Sequence, residues 1–416
     1  MDIIRRYINL FVISLGAGCI YKLVFIKDVY YSAFQQAFGI TNIQIGLLLT
    51  FFAVSAIFCY LPGGWLVDFI PVKYLLSIAL ISTGLLGFWE STFPSYTTLV
   101  IIHMGYGITT TLLFWEAMIK GTRMLAHDEA QGGIFGMLEG LRGLCATLAS
   151  FGGLYFFSKL GEGRLGLSGT MVYFGAILCV IGVLVLLLMR KNDVEGKVNA
   201  KEALQGMREV AKLPKVWLAG GIVFCGYTFY NGLSYMTPML TNVFGMSPSV
   251  GAGVSIVRQY MIAIFAAPLG GFIADRIGSR VKFLKYIMAI GVAIMLAFIA
   301  IPCDKGTVIA GVVLMLITAA VTYMMRGTYY STTAELGVNV TMAGAAAGVI
   351  SLVGNLPDFF ITTLYGAMLD LFAGVQGYKM IFLIMMIAAF LGCMFAVLLA
   401  RILKKERAMR KVASPM

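Results

Sequence analysis

Five ionisable side chains lie deep inside apolar runs of this sequence: the cations Lys22, Arg142 and Arg258, and the acids Glu139 and Asp358. A charge in apolar surroundings is costly unless it finds a counter-charge or is presented to a ligand. Lysine supplies a point charge and arginine a planar fork that matches carboxylate or phosphate, while a carboxyl group takes up and returns a proton. The chemistry on offer is recognition of an anion and exchange of a proton. Bond-breaking chemistry is not signalled. The chain shows no nucleotide-binding loop, nucleophile motif or metal-ligand spacing, and its seven cysteines form no CxxC pair. Neither an enzyme, nor a metal, nor another cofactor is expected.

The local spacing of these charges leaves alternatives open. Glu139 and Arg142 stand three residues apart on one helical face. They form either a structural pair that neutralises itself, or a site where substrate and proton compete for the arginine. Glu116 and Lys120, four apart, divide in the same way between packing near a gate and proton coupling through Glu116. Lys22 and Arg258 have no acid within one turn of their own helix, so each must reach across to a partner or hold a ligand. Lys22, Arg142 and Arg258 outnumber Glu139 and Asp358 by one, which favours an anionic solute. With a rise of about 1.5 Å per residue, Tyr227, Tyr230, Asn231 and Asn355 fall at a similar depth. Together with Tyr21 they are candidate lining residues, aromatic packing being the plain alternative for the tyrosines. His103 and His127 are single histidines, read as a packing residue and a loop residue.

These residues are carried by a chain built for lipid. Hydrophobic residues make up 60% of 416 positions and charged ones 12%, against about 25% charge in a soluble domain. About 20 apolar residues cross a bilayer. Twelve such segments are expected, near 8–27, 44–66, 73–92, 97–121, 131–157, 168–189, 216–241, 249–274, 282–301, 307–329, 341–369 and 379–402. The fold class is therefore an all-α membrane protein. Its organisation is a six-helix bundle over 1–190, a linker over 191–215, a second six-helix bundle over 216–403 and a tail over 404–416. Arg5 and Arg6 precede the first segment, but no small-x-small cleavage site follows, so that segment is expected to be retained. The net charge of +12 does not point to nucleic acid, because the cations sit in short loops between apolar segments. Loops after even-numbered segments and both termini hold most of them, which places both termini and the linker in the cytoplasm. Segments three, six, nine and twelve are nearly free of charge between their ends, as lipid-facing helices would be; the other eight would line a cavity.

The chain also repeats itself. Gly63-Gly64-Trp65-Leu66-Val67-Asp68 recurs 207 residues later as Gly270-Gly271-Phe272-Ile273-Ala274-Asp275, followed by the cations Lys73 and Arg280 respectively. Likewise Ala37-Phe38-Gly39-Ile40-Thr41 recurs as Val243-Phe244-Gly245-Met246-Ser247. An offset of half the chain is the mark of a duplicated architecture, common among transporters.

Over nearly its whole length the chain resembles the major facilitator superfamily, whose twelve helices in two pseudo-symmetric halves carry the signature G-x-L-x-D-R-x-G-R-[KR] after the second helix. Here the first copy keeps Gly64, Leu66, Asp68 and Lys73 but has Phe69, Pro71 and Val72 where the signature has Arg, Gly and Arg. The second copy keeps Gly271, Asp275, Arg276, Gly278 and Arg280. The resemblance implies that these turns form a cytoplasmic gate. Gly64 and Gly271 would let helices approach, Asp68 and Asp275 would pair with nearby cations, Glu335 would partner Arg276 or Arg280, and Arg326 would lie near the gate. Within the superfamily the likeness is to bacterial inner-membrane members near the organophosphate and anion carriers, through Tyr21-Lys22, the Phe135-to-Gly143 stretch and Asn355-x-Pro357-Asp358. Drug-exporter motifs are absent on helices four and five. The implied function is secondary active transport of a small, anionic organic solute by a monomer in the bacterial inner membrane, as a symporter or antiporter. Lys22, Arg142 and Arg258 would hold the anion, and Glu139, Asp358 or Glu116 the proton. An exporter of amphipathic compounds and a transporter-like solute receptor are the alternatives.

Overall fold

The computed structural model describes residues 3–125, 131–189, 208–302, 305–338 and 340–413. His127, positions 191–207 of the expected linker and the side chain of Asp68 fall outside the described residues. The first half runs through α1 (Ile3–Cys19), α2 (Lys27–Phe38), α3 (Asn42–Phe69), α4 (Val72–Glu90), α5 (Tyr96–Gly107), α6 (Glu116–Arg123), α7 (Gln131–Lys159) and α8 (Arg164–Leu188). The second begins with α9 (Pro214–Gly232), α10 (Met236–Asn242), α11 (Pro248–Ile256), α12 (Ile262–Ile277) and α13 (Arg280–Ala300). It ends with α14 (Val308–Thr328), α15 (Val340–Gly354), α16 (Ile361–Leu371) and α17 (Val375–Ala413). Joined across short interruptions, these helices make twelve spans; no strand occurs among the described residues.

Ten helices are long and apolar enough to cross a membrane, yet at most 50% of the most apolar window of any of them is buried. The exposed remainder is greasy: Leu165 is 75% exposed, Leu187 74% and Phe265 73%. Apolar side chains in such numbers on an outer surface call for lipid as the solvent. The two spans outside the ten are the first and the seventh, α1–α2 and α9–α10, each broken into two helices.

The chain packs as two compact units, Met1–Val198 with Gly245–Met261, and Asn199–Phe244 with Ile262–Met416. The first half of the eighth span, α11 and the turn after it, thus belongs to the first unit. There Gly253 leaves room for Leu154, 3.6 Å from where its Cβ would stand, and Ser249 and Ser158 share a hydrogen bond of 2.6 Å.

The two sequence repeats are explained by local stereochemistry. Gly39 and Gly245 end α2 and α10 with φ of 64° and 72°, a left-handed conformation that glycine adopts without strain. Two residues later Thr41 and Ser247 open the next helix, their hydroxyls accepting the backbone N–H of Gln44 at 3.2 Å and of Val250 at 3.4 Å. Thr41 completes a reciprocal cap, because the Gln44 side chain returns a bond to the Thr41 N–H at 2.9 Å.

The Gly-Gly repeat works differently from the expectation. It is the first glycine of each pair that lies at a helix contact. A Cβ on Gly63 would stand 3.1 Å from the Leu112 carbonyl oxygen, and one on Gly270 2.7 Å from Met324 Cα. Around Gly64 and Gly271 there is open space. Alanine at Gly63 or Gly270 should therefore force two helices apart and lower the thermal midpoint of the detergent-solubilised protein by several degrees, an effect of about 1–3 kcal/mol. Alanine at Gly64 or Gly271 should be neutral or stabilising, since it gains up to about 1 kcal/mol of helix propensity. Equal losses at both members of a pair would contradict this assignment.

Candidate functional site

The candidate residues gather where helices are interrupted. The first span, expected as one helix over 8–27, stops at Cys19 and resumes at Lys27. Between them the chain closes tighter turns, with Lys22 N–H on the Cys19 carbonyl at 3.0 Å and Ile26 N–H on that of Leu23 at 3.2 Å. The fourth and eighth spans widen into π-turns at Ile108–Trp115 and Val257–Met261. The eleventh breaks at Asn355 into a short 3₁₀ turn that holds Asp358. Such breaks re-aim side chains and free backbone groups, which is why they recur at membrane binding sites.

In the first unit, Gly18 lets α1 lie directly on α7; a Cβ there would come within 2.8 Å of the Arg142 carbonyl oxygen. This sets the α1–α2 break against the middle of α7. Lys22, 5% exposed, donates to Ser150 Oγ at 2.9 Å and places its ammonium 3.2 Å from the centre of the Tyr260 ring. These residues line a small pocket with Tyr30 and Phe174. Among the described residues no carboxylate lies within 4.0 Å of Lys22. Arg258, 1% exposed, donates through Nη2 to the Asp28 carbonyl oxygen at 3.4 Å, and Asp28 forms an ion pair with Lys27 at 2.8 Å. Arg142 and Glu139 form an ion pair at 2.8 Å, with the Glu139 side chain 55% exposed, so the two charges meet each other first. Tyr21 lies beside Thr110 of the π-turn in the fourth span. Lys120 donates to the Val67 carbonyl oxygen at 3.0 Å, next to the first Gly-Gly turn, and Glu116 lies in the field of Arg123.

In the second unit the expected lining residues form a second polar group. Asn231 donates to Asp358 Oδ1 at 3.2 Å, and the Tyr227 hydroxyl also reaches that carboxyl. Tyr330 donates to Asn355 Oδ1 at 3.1 Å. Arg326, expected near the gate, joins this group: its guanidinium lies over the Tyr230 ring at 4.3 Å, with Tyr227, Tyr323 and Tyr329 around it. The sequence suggested a gate role because Arg326 stands near the end of α14. The tyrosine faces of the seventh and tenth spans, which draw a cation inward, are not visible in linear spacing.

The second Gly-Gly turn is held by Asp275, which accepts from Arg280 Nη2 at 2.8 Å. Glu335, expected to partner Arg276 or Arg280, meets Arg280 at its main chain: its carboxylate accepts from the Arg280 backbone N–H and from Ser279 Oγ at 2.8 Å, so it closes the N-terminus of α13. The Arg276 guanidinium lies over the Phe272 ring at 4.6 Å, and Lys73 stands 5.1 Å from the Tyr74 ring centre.

Four contributors escaped the sequence reading. Ser150 and Tyr260 are neutral and gain meaning only from Lys22; Tyr260 reaches it from a π-turn that α-helical spacing does not describe. Glu90 and Tyr106 are paired across two helices, with the Tyr106 hydroxyl donating to Glu90 Oε2 at 2.6 Å. The gate geometry predicts that Glu335→Ala destabilises more than Arg280→Ala. The first removes charged acceptors from a backbone N–H and a hydroxyl, about 1.5–3 kcal/mol; the second removes an exposed ion pair worth under about 1 kcal/mol. Thermal unfolding of the two variants and hydrogen exchange at Arg280 to Lys282 would check this order.

Comparison with known proteins agrees with the architecture. The sequence profile of the Major Facilitator Superfamily matches residues 10–362. The inner membrane protein YihN of Escherichia coli (strain K12) is 30% identical over 401 residues, 95% of each chain. A probable nitrate/nitrite transporter, NarK2 of Mycobacterium tuberculosis (strain ATCC 25618 / H37Rv), is 24% identical over 324 residues, 77% of each chain. Among solved structures, a bacterial homolog of the human lysosomal transporter Spinster, inward-facing and unoccupied, superposes with a TM-score of 0.76 at 17% identity, covering 97% of this chain and 98% of that one. These relatives and this fold are those of transporters and not of enzymes, and the chain belongs to the Major Facilitator Superfamily.

Proposed function

We propose that this protein is a secondary active transporter that carries a small organic anion across the bacterial inner membrane. It works as a monomer by alternating access, coupled to protons or by exchange, with both termini and the linker on the cytoplasmic side. The observation that carries the reading is Lys22. The residue is 5% exposed, and among the described residues its ammonium meets a hydroxyl and a ring and no carboxylate within 4.0 Å, in a setting where an uncompensated charge costs at least about 2.5–3.5 kcal/mol. A ligand anion is the natural counter-charge. Arg326 supports the same chemistry in the second unit, because its guanidinium rests on a tyrosine face and forms no ion pair within 4.0 Å among the described residues. The likeness to a protein named as a probable nitrate/nitrite transporter favours an anion, and the likeness to an inner membrane protein favours the location.

In this reading Ser150 and Tyr260 orient the Lys22 ammonium, and Arg258 adds positive potential from the π-turn of the eighth span. Glu139 releases Arg142 when it takes a proton, so that proton and anion exchange for one guanidinium. Asp358, bonded to Asn231, is the acid of the second unit, where Asn355, Tyr227 and Tyr230 frame the solute. Asp68 with Lys73, and Asp275 with Arg280, latch the cytoplasmic turns.

Uptake into proteoliposomes, screened with carboxylates, sugar phosphates and zwitterions, tests the proposal. The wild type should take up an anion, and Lys22→Gln should lower its kcat/KM by at least about tenfold, with partial recovery in Lys22→Arg. An anion carried equally well by Lys22→Gln, or uptake confined to amphipathic cations, would remove the basis of this reading.

A further inference from the structure

One carboxyl group is sealed inside the first unit and has no part in the scheme above. Glu90, the last residue of α4, is 0% exposed. Tyr106 of the fourth span donates to its Oε2 at 2.6 Å, while Oε1 has no hydrogen-bond partner. Among the described residues no lysine, arginine or histidine nitrogen lies within 4.0 Å of it. The charged and titratable groups that face this region are few. His103, three residues before Tyr106, meets the Tyr106 ring at 5.6 Å between centroids and uses Nδ1 on the Leu99 carbonyl at 3.0 Å. Lys27, close enough to act on His103, forms an ion pair with Asp28. Arg164 of α8 covers Phe93 at 4.5 Å.

This arrangement leaves Glu90 incompletely satisfied in either protonation state. As a carboxylate it would hold a full charge without solvent on a single neutral hydrogen bond, which is expensive. As a carboxylic acid it keeps the Tyr106 bond at Oε2, but the acid O–H on Oε1 finds no acceptor. Buried polar atoms are mostly hydrogen-bonded, and Glu90 Oε1 is one of several here without a partner. What sets Glu90 apart is that it is a wholly buried acid with no cation beside it among the described residues. Tyr106 matches the need, since its hydroxyl donates to the same oxygen whether the proton is present or absent.

We propose that Glu90 is a proton-binding residue of this transporter, held by Tyr106, that carries a proton while sealed and exchanges it with solvent when the conformation opens. The step is balanced: a solvent hydronium protonates the carboxylate on one side, the acid returns the proton to water on the other, and no bond other than O–H changes. The proposal rests on the transport reading for the use made of the proton, but not for the site itself. It adds to the acids of the scheme above a further one, at the opposite end of the third span from the Gly-Gly turn.

Infrared difference spectroscopy of the purified full-length protein in lipid nanodiscs, titrated with pH, tests this directly. The wild type should show a protonated-carboxyl C=O band that disappears as pH rises. That band should be absent from Glu90→Gln and displaced to higher frequency in Tyr106→Phe, which removes the hydrogen bond on Oε2. Spectra of Glu90→Gln that match the wild type at every pH would overturn the proposal. So would a Glu90 band that never titrates while the protein stays folded, the mark of a structural acid. Should Glu90→Gln not fold, displacement of the titrating band in Tyr106→Phe decides the matter, and its absence there overturns the proposal. The readout needs no solute. A titrating Glu90 in a protein that moves no anion would sink the transport reading alone, whereas anion uptake with a non-titrating Glu90 would sink this proposal alone.

Discussion

A polypeptide in lipid has no water to satisfy its backbone, so a helix can be interrupted only where side chains or neighbouring backbone take over the lost partners. The rest of this structure depends on that constraint. Five of the twelve spans are not continuous α-helix: the first, seventh and eleventh break, and the fourth and eighth widen into π-turns. Beside these irregularities polar side chains reach main-chain oxygens. Arg258 donates to Asp28, Tyr365 to Thr228 at 3.0 Å and Tyr235 to Thr362 at 2.5 Å. Lys22, in the break of the first span, is met by Ser150 and by Tyr260 of the eighth-span π-turn. Asp358, in the break of the eleventh, is met by Asn231 next to the break of the seventh.

The duplicated features serve a different end. Gly39 with Thr41 and Gly245 with Ser247 turn the chain sharply between spans, and Gly63 and Gly270 bring two helices together within each unit. These positions need small size or a left-handed backbone, demands that allow little choice of residue, so the repeat stays readable over an offset of half the chain. Charges obey no such demand. Lys22 falls opposite Thr228, and Arg142 opposite Gly354. The scaffold is symmetric because its constraints are local and steric; the charged groups, which no such constraint fixes, differ between the two halves.

That division also explains how much could be read from sequence. The twelve spans and the turns follow from hydropathy and glycine placement, which act over a few neighbouring residues. The pairing of Glu139 with Arg142 was one of two readings offered by their spacing, and the ion pair at 2.8 Å is what local geometry favours. Interruptions were harder to see. Cys19 to Lys27 holds no proline or glycine, so apart from its two lysines nothing in its composition announces a break at Lys22. Arg326 and Glu335 were placed by distance along the chain, yet their partners, a tyrosine face and a helix N-terminus, come from other spans. Nothing in the sequence singles out Glu90, an acid near the end of an apolar segment. Only tertiary packing shows that it is sealed and bonded to Tyr106.

Among the described residues Lys22 is a buried cation with no carboxylate within 4.0 Å, and Glu90 a buried acid with no cation within 4.0 Å. Bringing them together would give each a counter-charge, as Lys27 and Asp28 have in the same unit. It would also consume what each offers, because a buried pair costs about 3–5 kcal/mol to break, and a ligand or proton would have to supply that energy before binding. Keeping them apart leaves each without a counter-charge, which the transport scheme proposed above uses for an anion at one and a proton at the other. A scaffold that tolerates two such deficits must hold them in place by packing and neutral hydrogen bonds. That is the role of Ser150 and Tyr260 around one and of Tyr106 around the other: they fix the position of a charge without neutralising it.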